Sequence, residues 1–456
     1  MPSRILTVAP LLIVCSLLTA GCRTSAAKPD EVATRLDTMF AALHQQGLFD
    51  GAVVIGRGER VLWSRGFGLA NASSGARFTA DTPTDAASLA KTFTAALLVA
   101  LEREGRLSLD EPAQRFLPEL PYADITLRQL VSHSSGLPSD YGYFDRYVGA
   151  SDIRTTEVLL GVVQSQKPAL AFTPGTAFEY NSFGFDLAAL AAARVTGKSY
   201  GDLLAERFFK PLGMTSAFLR PGRLDAFPSP RTLAYRRAGD KLELHDVYDL
   251  EAFHGGSNIY VSAADLFRWN AAFFGPLGRH SELFEDARIG GQRSGLTLGS
   301  WYRSADGKQF WYSGHLQGFH SVVYRDLGTQ ASVVYATNNT LAPWLQHWIV
   351  RASRRILAGE DVPSFTPPAT SDLAKAEYAL LNGRWQVAHE GIEIEAGDGA
   401  LKVRHNDVRY AMFPVAKDAF YAPGLDWMIG FAKDASGAIV RIHRSTNVDA
   451  EWGSRP

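Results

Sequence analysis

The chain has 456 residues, a formal net charge of −1 and 20% charged residues, a size that allows about two to four domains. That balance excludes the basic surplus of a nucleic-acid binder and the acidic excess of a solvating tail. It points to a small-molecule or peptide substrate as the partner.

At the N-terminus, Arg4 precedes an almost wholly apolar run, Ile5 to Leu18, and the small residues Ala20 and Gly21 lead into Cys22. This is the pattern of an export signal over residues 1–21, too short to span a bilayer as a mature helix. The cysteines are Cys15 and Cys22 alone, so cleavage before Cys22 leaves one thiol and no disulfide. Leu18-Thr19-Ala20-Gly21-Cys22 resembles a bacterial lipobox, although Thr19 stands where leucine is commoner. The resemblance implies acylation of Cys22, a lipid tether over 22–30 and a periplasmic or envelope location. An ordinary secreted protein with a spectator cysteine is the alternative.

Beyond the tether, Val32, Leu36, Met39, Phe40 and Leu43 fall at helical spacing. Gly51–Gly56 and Val61–Gly66, separated by Arg57-Gly58-Glu59-Arg60, predict a β-hairpin. The pattern turns helical from Ser88 to Glu104 and again at Thr155–Val163, Phe183–Val195 and Ala263–Phe273. Strand-like runs return at Gln309–Tyr312, Phe319–Tyr324 and Ala331–Tyr335, and Leu341–Leu357 reads as a closing helix. Strands at both ends with helices between them predict an α+β fold, an antiparallel sheet flanked by helices with a helical subdomain, over residues 31–360. A proline-rich linker at 361–371 then leads to a small β domain at 372–456, marked by turn signals such as Asp398-Gly399 and Ser436-Gly437.

The chemistry-bearing pair is Ser88 and Lys91 in Ser88-Leu89-Ala90-Lys91. A serine three residues before a lysine shares a helical face with it, one turn apart, so the amine can take the hydroxyl proton. Spacing alone is weak, because Ser25-Ala26-Ala27-Lys28 repeats it in the polar tether before Pro29. Ser88-Leu89-Ala90-Lys91 differs in opening an apolar helix that carries Lys91 into the interior, where burial and the helix dipole favour a usable base.

Five blocks occur in order: Gly51-Ala52-Val53-Val54-Ile55, Gly66–Ala70, Ala87–Thr94, Ile125–Leu137 and Val261–Leu266. Together they resemble the β-lactamase-related serine hydrolases, which include class C β-lactamases, low-molecular-weight penicillin-binding proteins, D-aminopeptidases and esterases of that fold. The resemblance covers about Val32 to Leu357. It implies the β-lactamase/transpeptidase-like fold, with Ser88 as nucleophile and Lys91 as its partner. The family's Tyr-x-Asn motif falls on Tyr180-Asn181-Ser182, which implies a proton shuttle at Tyr180 and leaves Ser182 where an amide is usual. Its Lys-Thr-Gly motif falls on Tyr312-Ser313-Gly314, with the His315 N–H completing an oxyanion hole with that of Ser88. An alternative register uses Gly314-His315 as a His-type motif. Tyr312 lacks the lysine charge that holds a substrate carboxylate, which favours a neutral ester, amide or peptide over penicillins.

No zinc-ligand spacing joins His133, His254, His315 and His320, and neither metal nor cofactor is expected. Gly255-Gly256 reads as backbone passing close to the cleft. The expected activity is serine hydrolysis through an acyl-enzyme, as an esterase or D-amino peptidase rather than an efficient β-lactamase. A catalytically silent, penicillin-binding-like sensor or binding lipoprotein is the alternative.

Overall fold

The central strands are buried along almost their whole length because both of their faces are covered. In the computed structural model, residues 29–454 are described except 229–230, 239–240, 249, 276, 278–280, 305–306, 342, 363–374, 388–389, 398–399, 406–407, 417–418, 423–426, 435 and 446–449. The export signal, Cys22 and most of the proline-rich linker lie outside the described residues.

Helix α1 (Pro29–Gln45) leads into the hairpin β1 (Gly51–Arg57) and β2 (Arg60–Phe67). Helices α2 (Ala90–Arg103), α3 (Ser182–Thr196) and α4 (Ala263–Phe273) follow, together with further helices at Leu127–Val131, Thr156–Gln166 and Tyr200–Leu204. The chain then returns to the sheet as β3 (Gln309–Leu316), β4 (Phe319–Asp326) and β5 (Ala331–Thr337) before helix α5 (Pro343–Ala358). The eight-stranded sheet runs in the order Asp286–Ile289, Gln292–Thr297, Tyr302–Arg303, β3, β4, β5, β1, β2, with every pairing antiparallel. β1 pairs with β5 from Gly51↔Thr337 to Arg57↔Ala331, so the start and end of the fold meet at the middle of the sheet.

Alternation along the strands divides the interior in two. Val53, Ile55, Trp311, Val322, Tyr324 and Val333 pack against Leu36 and Phe40 of α1 and Ile349 of α5. Ala52, Val54, Phe310, Tyr312, Val323 and Val334 face the opposite way, toward the core shared by α2, α3 and α4. On that side the Trp269 ring stacks on Phe93 at 4.0 Å and its Nε1 donates to Thr92 Oγ1 at 2.9 Å, tying α4 to α2. Asn270 Nδ2 donates to the Tyr324 carbonyl and to Ser332 Oγ, tying α4 to the sheet. The sheet thus supports α4, and α4 supports the helix that carries Lys91.

The C-terminal segment forms a closed antiparallel barrel of eight strands between Gly383 and Ser454. The first strand pairs with the last through Gln386↔Ser454 and Val387↔Gly453, which removes the open edges. Inward alternation of Trp385 and Val387, Ile392 and Ile394, and Leu401 and Val403 gives it a core of its own. Among the described residues no helix is long and apolar enough to cross a membrane.

Phe40 lies fully buried, its ring 5.2 Å from Phe49 and 5.4 Å from Trp63. Phe40→Ala is expected to cost about 3–5 kcal/mol in urea unfolding followed by tryptophan fluorescence. A loss below about 1 kcal/mol would show that the α1 layer lies outside the cooperative core.

Candidate active site

Ser88 sits in a 3-10 turn, Ala87–Leu89, that runs directly into α2, so it precedes the α-helix rather than opening it. Ala87 has φ +49°, an uncommon conformation for a residue with a side chain, and its N–H donates to Asp85 Oδ1 at 2.7 Å. Burial lifts the Asp85 carboxyl to about 7 despite that hydrogen bond. The Ser88 N–H lies in the first turn, where helix geometry supplies no carbonyl partner.

Lys91 is one turn further on and has no exposure to solvent. Its amine donates to Ser88 Oγ at 3.2 Å, to Ser182 Oγ at 2.9 Å and to the Gly256 carbonyl at 2.7 Å. Three acceptors replace the water that burial removed. Gly256 has to be glycine, since a Cβ there would lie 2.6 Å from the Ser182 carbonyl oxygen. The Gly255-Gly256 backbone therefore does pass against the cleft.

Tyr180 donates to Ser88 Oγ at 2.9 Å, and its hydroxyl is 3.2 Å from that of Tyr312. The Lys91 amine stands 4.8 Å from the Tyr180 ring centre. Burial pushes the Tyr180 phenol up, but the Lys91 charge and the surrounding hydrogen bonds outweigh it and leave the group below the usual tyrosine range. Tyr312 moves the other way, well above that range, through burial and then the facing Tyr180. With the two pushed apart, Tyr180 is the more acidic phenol of the pair and Tyr312 the one that keeps its proton longer.

The unusual second motif resolves into two roles. Asn181 caps α3, accepting from the Gly184 N–H, and its amide turns away to the Leu137 carbonyl. Ser182 is the residue that meets Lys91. His133 is buried beneath Tyr180, the rings 4.4 Å apart and 23° from parallel, with its Nδ1 accepting from the Asn181 N–H at 2.9 Å. Burial, then the Lys91 charge, keep this imidazole well below its ordinary pKa and hence neutral.

On β3 the neighbouring strand Tyr302–Arg303 pairs only with Phe310 and Trp311. From Tyr312 onward that edge faces the Ser88 turn. A Cβ on Gly314 would lie 2.1 Å from the Ala86 carbonyl oxygen and 3.0 Å from the Ser88 nitrogen, so only glycine admits the strand this close. The Gln309 carbonyl accepts from the Ser304 N–H on that edge, and two-residue alternation turns the Ser313 and His315 main-chain groups the same way. The Ser88 and His315 N–H groups can thus converge on one oxygen. Tyr312 points to the helical face, whereas the Ser313 side chain alternates with it onto the opposite face and the His315 side chain is exposed.

The structure therefore brings together Ser88, Lys91, Tyr180, Ser182, Tyr312 and Gly314, with the main chain of His315. Sequence reading missed Asp85, Gly256 as a lysine acceptor, and the fully buried Asp186. For Asp186 the available signal was an acid one turn beyond Ser182, inside an apolar helical run.

The sequence matches the family described as Beta-lactamase over residues 36–353. The chain belongs to the β-lactamase family. Penicillin-binding protein 4* of Bacillus subtilis (strain 168) is 25% identical over 444 residues, covering 91% of this chain and 97% of that protein. An octameric penicillin-binding protein homologue from Pyrococcus abyssi superposes with a TM-score of 0.62 at 17% identity, covering 92% and 99% of the two chains. D-alanine carboxypeptidase AmpC from Burkholderia cenocepacia has a TM-score of 0.56 at 21% identity, covering 73% of this chain and 100% of that one. This β-lactamase-family chain thus has the β-lactamase/transpeptidase fold, with the large antiparallel sheet and flanking helices.

Because the Tyr312 hydrogen bond helps hold the Tyr180 phenol down, Tyr312→Phe should raise its pKa. The phenolate fraction at neutral pH falls, and the pH at which Ser88 becomes reactive moves upward. Rates of fluorophosphonate labelling across pH check this; an unmoved profile would remove Tyr312 from the proton network.

Proposed function

We propose that this protein is a serine hydrolase acting through an acyl-enzyme on Ser88, with Lys91 and Tyr180 handling the protons. One observation carries the reading: Ser88 Oγ is held by both the Lys91 amine and the Tyr180 hydroxyl, at 3.2 and 2.9 Å. In the first step Ser88 Oγ bonds to the substrate carbonyl carbon while its proton passes to the Tyr180 phenolate. The tetrahedral oxyanion rests between the Ser88 and His315 N–H groups. The bond to the leaving group then breaks, and that group departs with the proton Tyr180 had taken. Water repeats the sequence on the acyl-enzyme, releasing the acid and restoring Ser88.

For substrate, Tyr312 argues for a neutral ester, amide or peptide. Its phenol occupies the place where a lysine would meet a carboxylate, and burial keeps it uncharged. An esterase or D-amino peptidase fits this better than an efficient β-lactamase. The full-length likeness to Penicillin-binding protein 4* supports the acyl-enzyme chemistry. An export signal and an acylated Cys22 would place that chemistry at the cell envelope.

Intact mass after incubation with a fluorophosphonate, and separately with a penicillin, tests the reading. We expect a phosphonate adduct on Ser88, its loss in Ser88→Ala, and little or no penicillin adduct. Efficient penicillin acylation would overturn the substrate assignment. Absence of both adducts would favour a silent binding protein.

A further inference from the structure

The reaction outlined above makes no use of Asp186, although this carboxylate is fully buried close to its centre. Asp186 lies on α3 one turn after Ser182, so both side chains project from the same face of the helix. Ser182 accepts directly from Lys91 at 2.9 Å. Asp186 reaches the same lysine through one residue: its Oδ1 accepts from the Gly256 N–H at 2.8 Å, and the Gly256 carbonyl, in the following peptide group, accepts from the Lys91 amine at 2.7 Å. Tyr141 donates its hydroxyl proton to the other carboxylate oxygen, Oδ2.

We propose that Asp186 is a positioning residue for the acyl-transfer centre, orienting the Gly256 carbonyl onto the Lys91 amine and balancing its charge across that residue. Three features make this more than a satisfied buried acid. The Gly256 backbone lies close against the start of α3, where even a Cβ would meet the Ser182 carbonyl, so this residue stands directly between Asp186 and Lys91. A carboxylate is costly to bury without a cation near it, and Lys91 is the cation that faces it. Gly256 carries a hydrogen bond on either side of its Cα, so the two side chains together fix the orientation of both flanking peptide groups.

The groups facing Asp186 are Lys91 from α2, the Tyr141 hydroxyl from the turn at Tyr141–Arg146, and Tyr200 from the helix Tyr200–Leu204. Burial raises the Asp186 carboxyl to about 6, against the opposing pull of the Tyr141 and Gly256 hydrogen bonds and the Lys91 charge. Its charge is therefore present above about pH 6 and lost below. The lysine is held most firmly on the alkaline side of that value.

The proposal rests on Ser88 as nucleophile, and the rate of fluorophosphonate labelling at Ser88 reads it without knowledge of the natural substrate. Asp186→Asn keeps the shape and one acceptor but removes the charge. A folded Asp186→Asn protein should label at least tenfold more slowly than wild type at pH 7.5, a size typical of misplacing a catalytic group. The wild-type inflection near pH 6 should vanish from its profile. Tyr141→Phe removes a hydrogen bond that lowers the Asp186 pKa, so that inflection should move to higher pH while labelling above pH 8 recovers. This second variant keeps the test open if the first does not fold. Equal labelling of folded Asp186→Asn and wild type, or an unmoved inflection in Tyr141→Phe, overturns the inference alone. A wild type that never labels overturns the proposed function and this inference with it.

Discussion

A lysine with no access to water dictates much of this architecture. Removing an ammonium from solvent costs several kcal/mol unless its hydration is replaced group by group. Here the replacements come from three separate stretches of chain: Ser88 one turn before Lys91, Ser182 at the start of α3, and the Gly256 carbonyl. Each has to arrive within hydrogen-bond distance, which fixes how α2, α3 and the Gly255-Gly256 segment pack together. The same buried charge lowers the Tyr180 phenol against the push of burial, and adds to burial in keeping His133 neutral.

The sheet contributes the opposite kind of constraint, a steric one. Gly314 brings β3 against the Ser88 turn, and Ala87 takes an unusual backbone conformation to present the serine there. Strain of this sort persists only where the surroundings hold it in place. Those surroundings are the β5–β1–β2 and β3–β4 pairings, the α4 helix locked to α2 by Trp269, and the Asp85 carboxylate on the Ala87 N–H. Rigid backbone on one side and a buried charge on the other leave Ser88 between them.

Much of this could be read from the amino-acid order, for physical reasons. The β1–β2 hairpin and the helices α1 to α5 are legible because each is a local periodicity, and α4 begins and ends at the expected residues. The Ser88, Lys91 and Tyr180 cluster is legible because two of its members are a turn apart and the third lies just before the cap of the apolar helix α3. Asp186 and Gly256 are not, since their meaning depends on a peptide brought in from 165 residues beyond Lys91 in the chain. The third motif remained ambiguous for a related reason. Side-chain alternation assigns Tyr312 inward and His315 outward only once the pairing of β3 is known. Likewise, the short strands at Asp286–Arg303 follow glycines and charges that carry no clear two-residue pattern.

The pairing of Gly51 with Thr337 also sets a timetable for synthesis. A lone two-stranded hairpin is marginal in water, and β1 meets its second neighbour only after nearly the whole family domain has emerged from the ribosome. At about 5–20 residues per second that interval is on the order of tens of seconds. Throughout it the apolar strand Ala52–Ile55 has one edge unsatisfied, and its closing partner is a contact of very high sequence separation, the slowest kind to form. The nascent chain thus spends its longest vulnerable period with this edge exposed to aggregation. Its dependence on holding chaperones should be greatest just before β5 is complete.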